Sequence, residues 1–297
     1  MTGVTRGWFS AGAVLTFASI VMGAVVCATQ SGASCPNWPG CYENGFLPTP
    51  GTGLATNPLI EFAHRVVAGA TGPVVLVAAL MGRRLDDPRP RRLAWVGLAG
   101  TVAAGIFGML TVKVGIPWWL GVIDLTSAFT ATVAMLAARL LLDRPVWGPD
   151  RTARIAWAGL GVLAVMHLSG LAVAGTDSFT RCLGWPLGVL DADRWPLVQG
   201  VRLGLAVAAA VLIAVAVVQG VRRPQLRVPA GLAAGLLLFE LALAAALLGG
   251  SGSVALRTVY AVVAAGLFGS VALLAGRASV AASAVPDAAV VATPGLA

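Results

Sequence analysis

The sequence predicts an all-α integral membrane protein of eight transmembrane helices, arranged as two tandem four-helix bundles with both termini cytoplasmic. Three observations carry this. The first is composition: of 297 residues, 58% are hydrophobic and only 11% charged, with a mean hydropathy of +0.87, whereas soluble domains carry about 25% charged residues. The second is segmentation, because eight stretches reach the roughly 20 apolar residues needed to cross a bilayer core. The third is the placement of the 20 basic residues, most of which gather in alternate turns.

The first stretch, Trp8–Thr29, is too long for a secretory signal and has no convincing cleavage site, so it reads as a retained helix. Pro58–Gly82, Leu93–Val114 and Trp118–Leu142 complete the first half. Ile155–Gly175, Pro196–Val221, Val228–Gly249 and Ser253–Gly276 make the second. Arg6, the turns Arg83–Arg92, Asp143–Arg154 and Arg222–Arg227, and Arg277 share one end of these spans. The positive-inside rule assigns that end to the cytoplasm. A pI near 10.6 is thereby a topology signal; membrane lipid is the expected surroundings and nucleic acid is not an expected partner.

Two long connections, residues 30–57 and 176–195, then face outward, and the other outward turns are short. The division is a first half over 1–142, a second over 143–277 and a tail over 278–297 that lacks periodicity and is expected to be disordered. A gapless repeat supports the two halves. The run from Gly23 to Pro39 lies over the run from Gly170 to Pro186, matching Thr29 with Thr176, Ser31 with Ser178, Cys35 with Cys182, Trp38 with Trp185 and Pro39 with Pro186.

Ionisable groups inside spans are expensive and mark functional candidates. Glu61 and His64 stand three apart in Glu61-Phe-Ala-His64-Arg65 and share one helix face. A neutral imidazole there is a natural axial ligand for haem iron, and a carboxyl one turn away suits proton transfer or a polar substrate group. The alternative is that Glu61 and Arg65, four apart, pair with each other. Cys35-Pro-Asn-Trp-Pro-Gly-Cys41 closes a short ring on the oxidising side, read as a disulfide in preference to a zinc site, either structural or redox-active. Pairing Cys27 with Cys182 would tie the halves together, which spacing alone does not decide. His167 is expected to bond a nearby backbone carbonyl, with haem ligation as the alternative. Glu240 needs a partner within the bundle or a proton of its own. Asp124 and Arg257 stand near span ends as partners for charged groups.

The run Thr29-Gln-Ser-Gly-Ala-Ser-Cys-Pro-Asn-Trp-Pro-Gly-Cys41, with Ile60-Glu-Phe-Ala-His-Arg65, resembles the first-half signature of the haem A synthases. Gly108-Met-Leu-Thr-Val-Lys-Val-Gly-Ile-Pro-Trp-Trp119 is similar to the turn between that family's third and fourth helices. The resemblance implies eight helices in two related halves, each holding a haem between histidines of its second and fourth helices. It implies oxidation of the haem O methyl group to the formyl group of haem A, with haem O as substrate in the first half and haem b as cofactor in the second. It also implies a prokaryotic plasma membrane, and haem O synthase or cytochrome oxidase subunits as partners. Carried over, His64 ligates haem iron, Arg65 contacts the haem and Glu61 is the essential carboxylate. The other three ligand positions fall near Asp124, Val201 and Tyr260, so three of the four histidines are missing, and of the chain's 2 histidines only His167 remains. Tyr260 is the alternative ligand, and the haem b site is in doubt.

Three functions follow. One is a haem A synthase-type oxidoreductase; a second is a non-catalytic relative that binds haem or assists oxidase assembly. A transporter, suggested by Glu240 and the repeat, lacks the broken helix pair expected of one.

Overall fold

The computed structural model describes residues 3–115, 117–143, 148, 150–173, 181–186, 195–248 and 252–281. Among these, the regular elements are helical: α1 (Gly3–Ala28), α2 (Pro58–Gly82), α3 (Pro88–Val114), α4 (Trp118–Asp143), α5 (Arg151–Val173), α6 (Pro196–Val221), α7 (Arg227–Leu248) and α8 (Val254–Ala281). All are long and apolar enough to cross a membrane. The chain is a multi-span membrane protein, as its composition predicts.

Helices begin where proline and a capping side chain meet. Asn57, in an extended conformation, accepts from Leu59 N through its side chain at 2.9 Å, and Pro58 opens α2 at a position that needs no N–H. Asp87 and Pro88 repeat this device at α3, where the Asp87 carboxylate accepts from Arg89 N at 2.9 Å. The Arg89 guanidinium also hydrogen-bonds Asp87 and holds its carboxyl below the usual range. Asp150 caps α5 by accepting from Ala153 N at 2.8 Å and pairs with Arg223.

These caps explain where the helices outrun their apolar cores. α3 starts at Pro88 and α5 at Arg151, several residues before the expected Leu93 and Ile155. Hydropathy marks the membrane-buried part of a helix, and a capped first turn rich in arginine adds nothing to that signal. At the other terminus α8 runs to Ala281, so residues expected to open the tail are helical. Residues 282–297, most of the loop 176–195, and parts of the turns at 116, 144–149 and 249–251 lie outside the described residues.

In the first half α1 packs on α2 and α4, and α3 on α2 and α4; in the second, α5 packs on α6 and α8, and α7 on α6 and α8. A Cβ on Gly100 would lie 2.8 Å from Ser127 O, so α3 and α4 approach this closely only because that residue is glycine. The halves meet through α1, α4, α5 and α8. There Phe129 stacks on Phe268 with ring centroids 4.0 Å apart.

The pairing that spacing leaves open is made. Cys27, at the end of α1, is bonded to Cys182 of the second long loop across a sequence separation of 155 residues, and Cys35 is bonded to Cys41. A ring of the former size restricts a fully unfolded chain by about 4–5 kcal/mol in the chain-entropy account. Helices retained in a membrane reduce that figure. We expect Cys27→Ser and Cys182→Ser to lower the melting temperature in detergent equally, and the double variant to lower it no further. Additive losses would show that the two cysteines act separately.

Candidate functional site

The end of the bundle that carries the two long loops holds the polar side chains. Its first feature is an arginine clamp. Arg65 Nε donates to Glu61 Oε1 at 2.8 Å, one turn along α2. Its two terminal nitrogens donate to three loop carbonyls: Nη1 to Asn37 and to Gly40 at 2.9 Å, and Nη2 to Cys35 at 2.7 Å. Every accepting carbonyl lies in the Cys35–Cys41 ring, which α2 therefore holds as a roof. The loop's base is fixed separately: Ser31 Oγ bonds Thr29 Oγ1 at 2.7 Å and accepts from Asn57 N at 3.0 Å.

Beneath this roof stands His64, half-buried and without a hydrogen bond among the described residues. A Cβ on Gly23 of α1 would lie 3.6 Å from its Nε2, so the imidazole edge runs along a stretch of helix left bare by glycine. His64 is the seventh residue of α2 and Asp124 the seventh of α4. Both helices start at the loop end, so the two groups share a depth of about 9 Å at 1.5 Å per residue. Asp124 is half-buried and likewise lacks a hydrogen bond or ion pair among the described residues.

Three of the helices bury few residues around them. In α3 the buried residues stop at Gly100, in α4 they begin, Leu120 apart, at Phe129, and in α2 Glu61 is the only one before Thr71. α1 closes this level with the buried Ile20, Ala24, Val26 and Ala28.

The second half is filled at the same level. Arg202 of α6 is 0% exposed and donates to Gln199 Oε1 at 2.7 Å, Met166 O at 3.2 Å and Gly184 O at 3.2 Å. Tyr260 of α8 is 0% exposed, and its hydroxyl accepts from Trp185 N at 3.2 Å while lying beside Glu240 and Arg202. Glu240 of α7, also fully buried, lies against that hydroxyl outside good hydrogen-bonding geometry, so both its oxygens are unpaired. His167 corrects the sequence expectation. Neither ring nitrogen bonds a carbonyl; the ring is 1% exposed and meets Phe129 edge-on, with centroids 6.4 Å apart.

A sequence profile of the cytochrome oxidase assembly protein family matches residues 6–274. The chain belongs to that family. Among curated relatives it is similar to the heme A synthase of Lysinibacillus sphaericus, 30% identical over 195 residues that cover 60% of this chain and 61% of the relative. It is also similar to that of Geobacillus kaustophilus, 26% identical over 229 residues, covering 69% and 68%. The match to the heme A synthase of Roseobacter denitrificans is 30% over 141 residues, covering 44% and 36%. The chain spans less than two thirds of the length of the Lysinibacillus sphaericus and Roseobacter denitrificans relatives.

Those relatives are named for haem, and the two halves of this chain differ in whether their residues would fit one. In the first, the His64 imidazole has no hydrogen bond among the described residues and stands beside bare glycine backbone, so its nitrogen is free to take iron. In the second, Val201 is 63% exposed and turned away from the bundle, while Arg202 and Tyr260 fill the interior. A haem ligated at Val201 and Tyr260 does not fit there.

Sequence reasoning missed the anchoring role of the arginines. The signal was present: Asn37 and Gly184, which accept from Arg65 and Arg202, hold matching places before Trp-Pro in the repeat. Arg65→Ala leaves Glu61 buried without its cation and three carbonyls without donors, so we expect a loss of about 3–5 kcal/mol. Glu61→Gln keeps the carbonyl bonds and should cost less. Thermal unfolding in detergent, with proteolysis of the 35–41 loop as the local readout, checks that order.

Proposed function

We propose that this chain is a haem A synthase-type membrane oxidoreductase, which oxidises the methyl group of haem O to the formyl group of haem A for cytochrome oxidase biogenesis. The observation that supports this most is the site beneath the clamped loop: a carboxylate and an unbonded imidazole one turn apart on α2. In this reading His64 ligates the iron of substrate haem O, which supplies the redox chemistry once bound. Glu61, held by Arg65, would accept a proton from the methyl group as it is oxidised. Taking that methyl to a formyl group removes four electrons and adds one oxygen atom from water, so an external electron acceptor completes the step.

The same reading treats residues 1–142 and 143–277 as tandem halves in a prokaryotic plasma membrane. The arginine-rich end is cytoplasmic by the positive-inside rule, which puts both disulfides on the oxidising side. Haem O synthase or oxidase subunits are the partners that would deliver substrate or receive product.

One observation favours a second reading. With Arg202 and Tyr260 filling the second half, no cofactor haem b sits there, and the chain is then a non-catalytic relative that binds haem for oxidase assembly. Expression in a strain lacking haem A synthase, with extraction of haem pigments, separates the two. The oxidoreductase yields haem A, Glu61→Gln abolishes it while the haem stays bound, and His64→Ala loses both. Bound haem without haem A supports the second reading. Colourless protein from haem-supplemented cells would falsify both.

A further inference from the structure

We propose that a haem held on His64 has this one protein ligand, leaving its other axial position open to a small exogenous molecule, with Asp124 the polar group that serves that open face. The inference rests on the reading of His64 as a haem ligand and concerns what stands opposite it.

The chain's donors exclude each other in turn. The second of its 2 histidines, His167, is enclosed in the other half against Phe129, at 1% exposure. All four cysteines are in disulfides, so no thiolate is free. Tyr260 is fully enclosed among Trp185, Glu240 and Arg202 in the second half. Tyr42 bonds Thr49 Oγ1 at 2.7 Å on the exposed loop. Of the 6 methionines, Met135 is locked between Gly12 and Gly97, Met166 is buried in the second half, Met81 stands at the arginine-rich end of α2 and Met1 lies outside the described residues, which leaves Met22 and Met109.

Asp124 is what remains at the depth of His64 on the diagonal helix. A carboxylate is a poor match for haem iron beside imidazole and thioether, but it is a good acceptor for a protonated ligand or water on the open face. Its lack of any partner among the described residues leaves it available for that role.

The test uses the purified full chain loaded with haem, read by optical and electron paramagnetic resonance spectra. We expect a high-spin ferric signal, carbon monoxide binding to the ferrous form, and imidazole or cyanide binding to the ferric form. Asp124→Ala should keep the haem and weaken the binding of imidazole, whose free N–H donates to the carboxylate, by about tenfold, the worth of one charge-assisted hydrogen bond. His64→Gly should lose the Soret band and regain it with added imidazole, which separates ligation from folding. A low-spin spectrum that ignores carbon monoxide overturns the proposal. If Met22→Leu or Met109→Leu then converts it to high spin, that thioether is the sixth ligand. Wild-type affinity for imidazole in Asp124→Ala overturns the role of Asp124 alone. Absence of haem overturns this inference and the reading of His64 together.

Discussion

An arginine inside an apolar bundle brings five N–H donors that no water can satisfy, and a loop folded over that bundle brings carbonyls in the same position. Arg65 solves both problems at once by donating to Cys35, Asn37 and Gly40 while pairing with Glu61. The roof, the carboxylate and the cation are therefore one unit: removing any of them strands the others in a low-dielectric setting where an unpaired group is most costly. The position of Glu61, and through α2 that of His64, follows from this unit. Arg202 performs the corresponding act in the second half, reaching Gly184 O at the place in the repeat that Asn37 holds in the first.

The two halves show how one framework can be open or closed. Residue 64 is a histidine that stays half-buried inside the bundle, whereas Val201, just before the second arginine, faces outward. With nothing large to accommodate, the second half collapses around Arg202 and Tyr260, and close packing there gains the dispersion contacts that an empty space would forfeit. In the first half α2, α3 and α4 bury most of their core residues toward the arginine-rich end, while α1 is buried along its length.

Much of this was legible beforehand because hydropathy and proline are local signals. α2 and α6 have the bounds expected from the sequence, each starting at a proline, and the Cys35–Cys41 bridge follows from a six-residue spacing. What was illegible depended on side-chain direction and long-range meeting. Whether Val201 or Arg202 faces the bundle is a rotation of one residue. Cys27 and Cys182 meet only once two loops have been placed. His167 was expected to find a carbonyl, but its ring is enclosed against Phe129 and neither nitrogen meets an acceptor.

The filled half has a mechanical consequence for the open one. At the loop end α2, α3 and α4 contribute few fully buried residues, so by their own packing alone these helix ends would open at low cost. Covalent and charge-assisted restraints stand in for the missing core. Cys27–Cys182 fastens the end of α1, and with it the stretch carrying Gly23, to a part of the chain that is closely packed. Cys35–Cys41 stiffens the roof, and Arg65 ties that roof to α2. Restraints placed in the loop and in the neighbouring half thus hold the ends of α1 and α2 in register where α3 and α4 bury few residues.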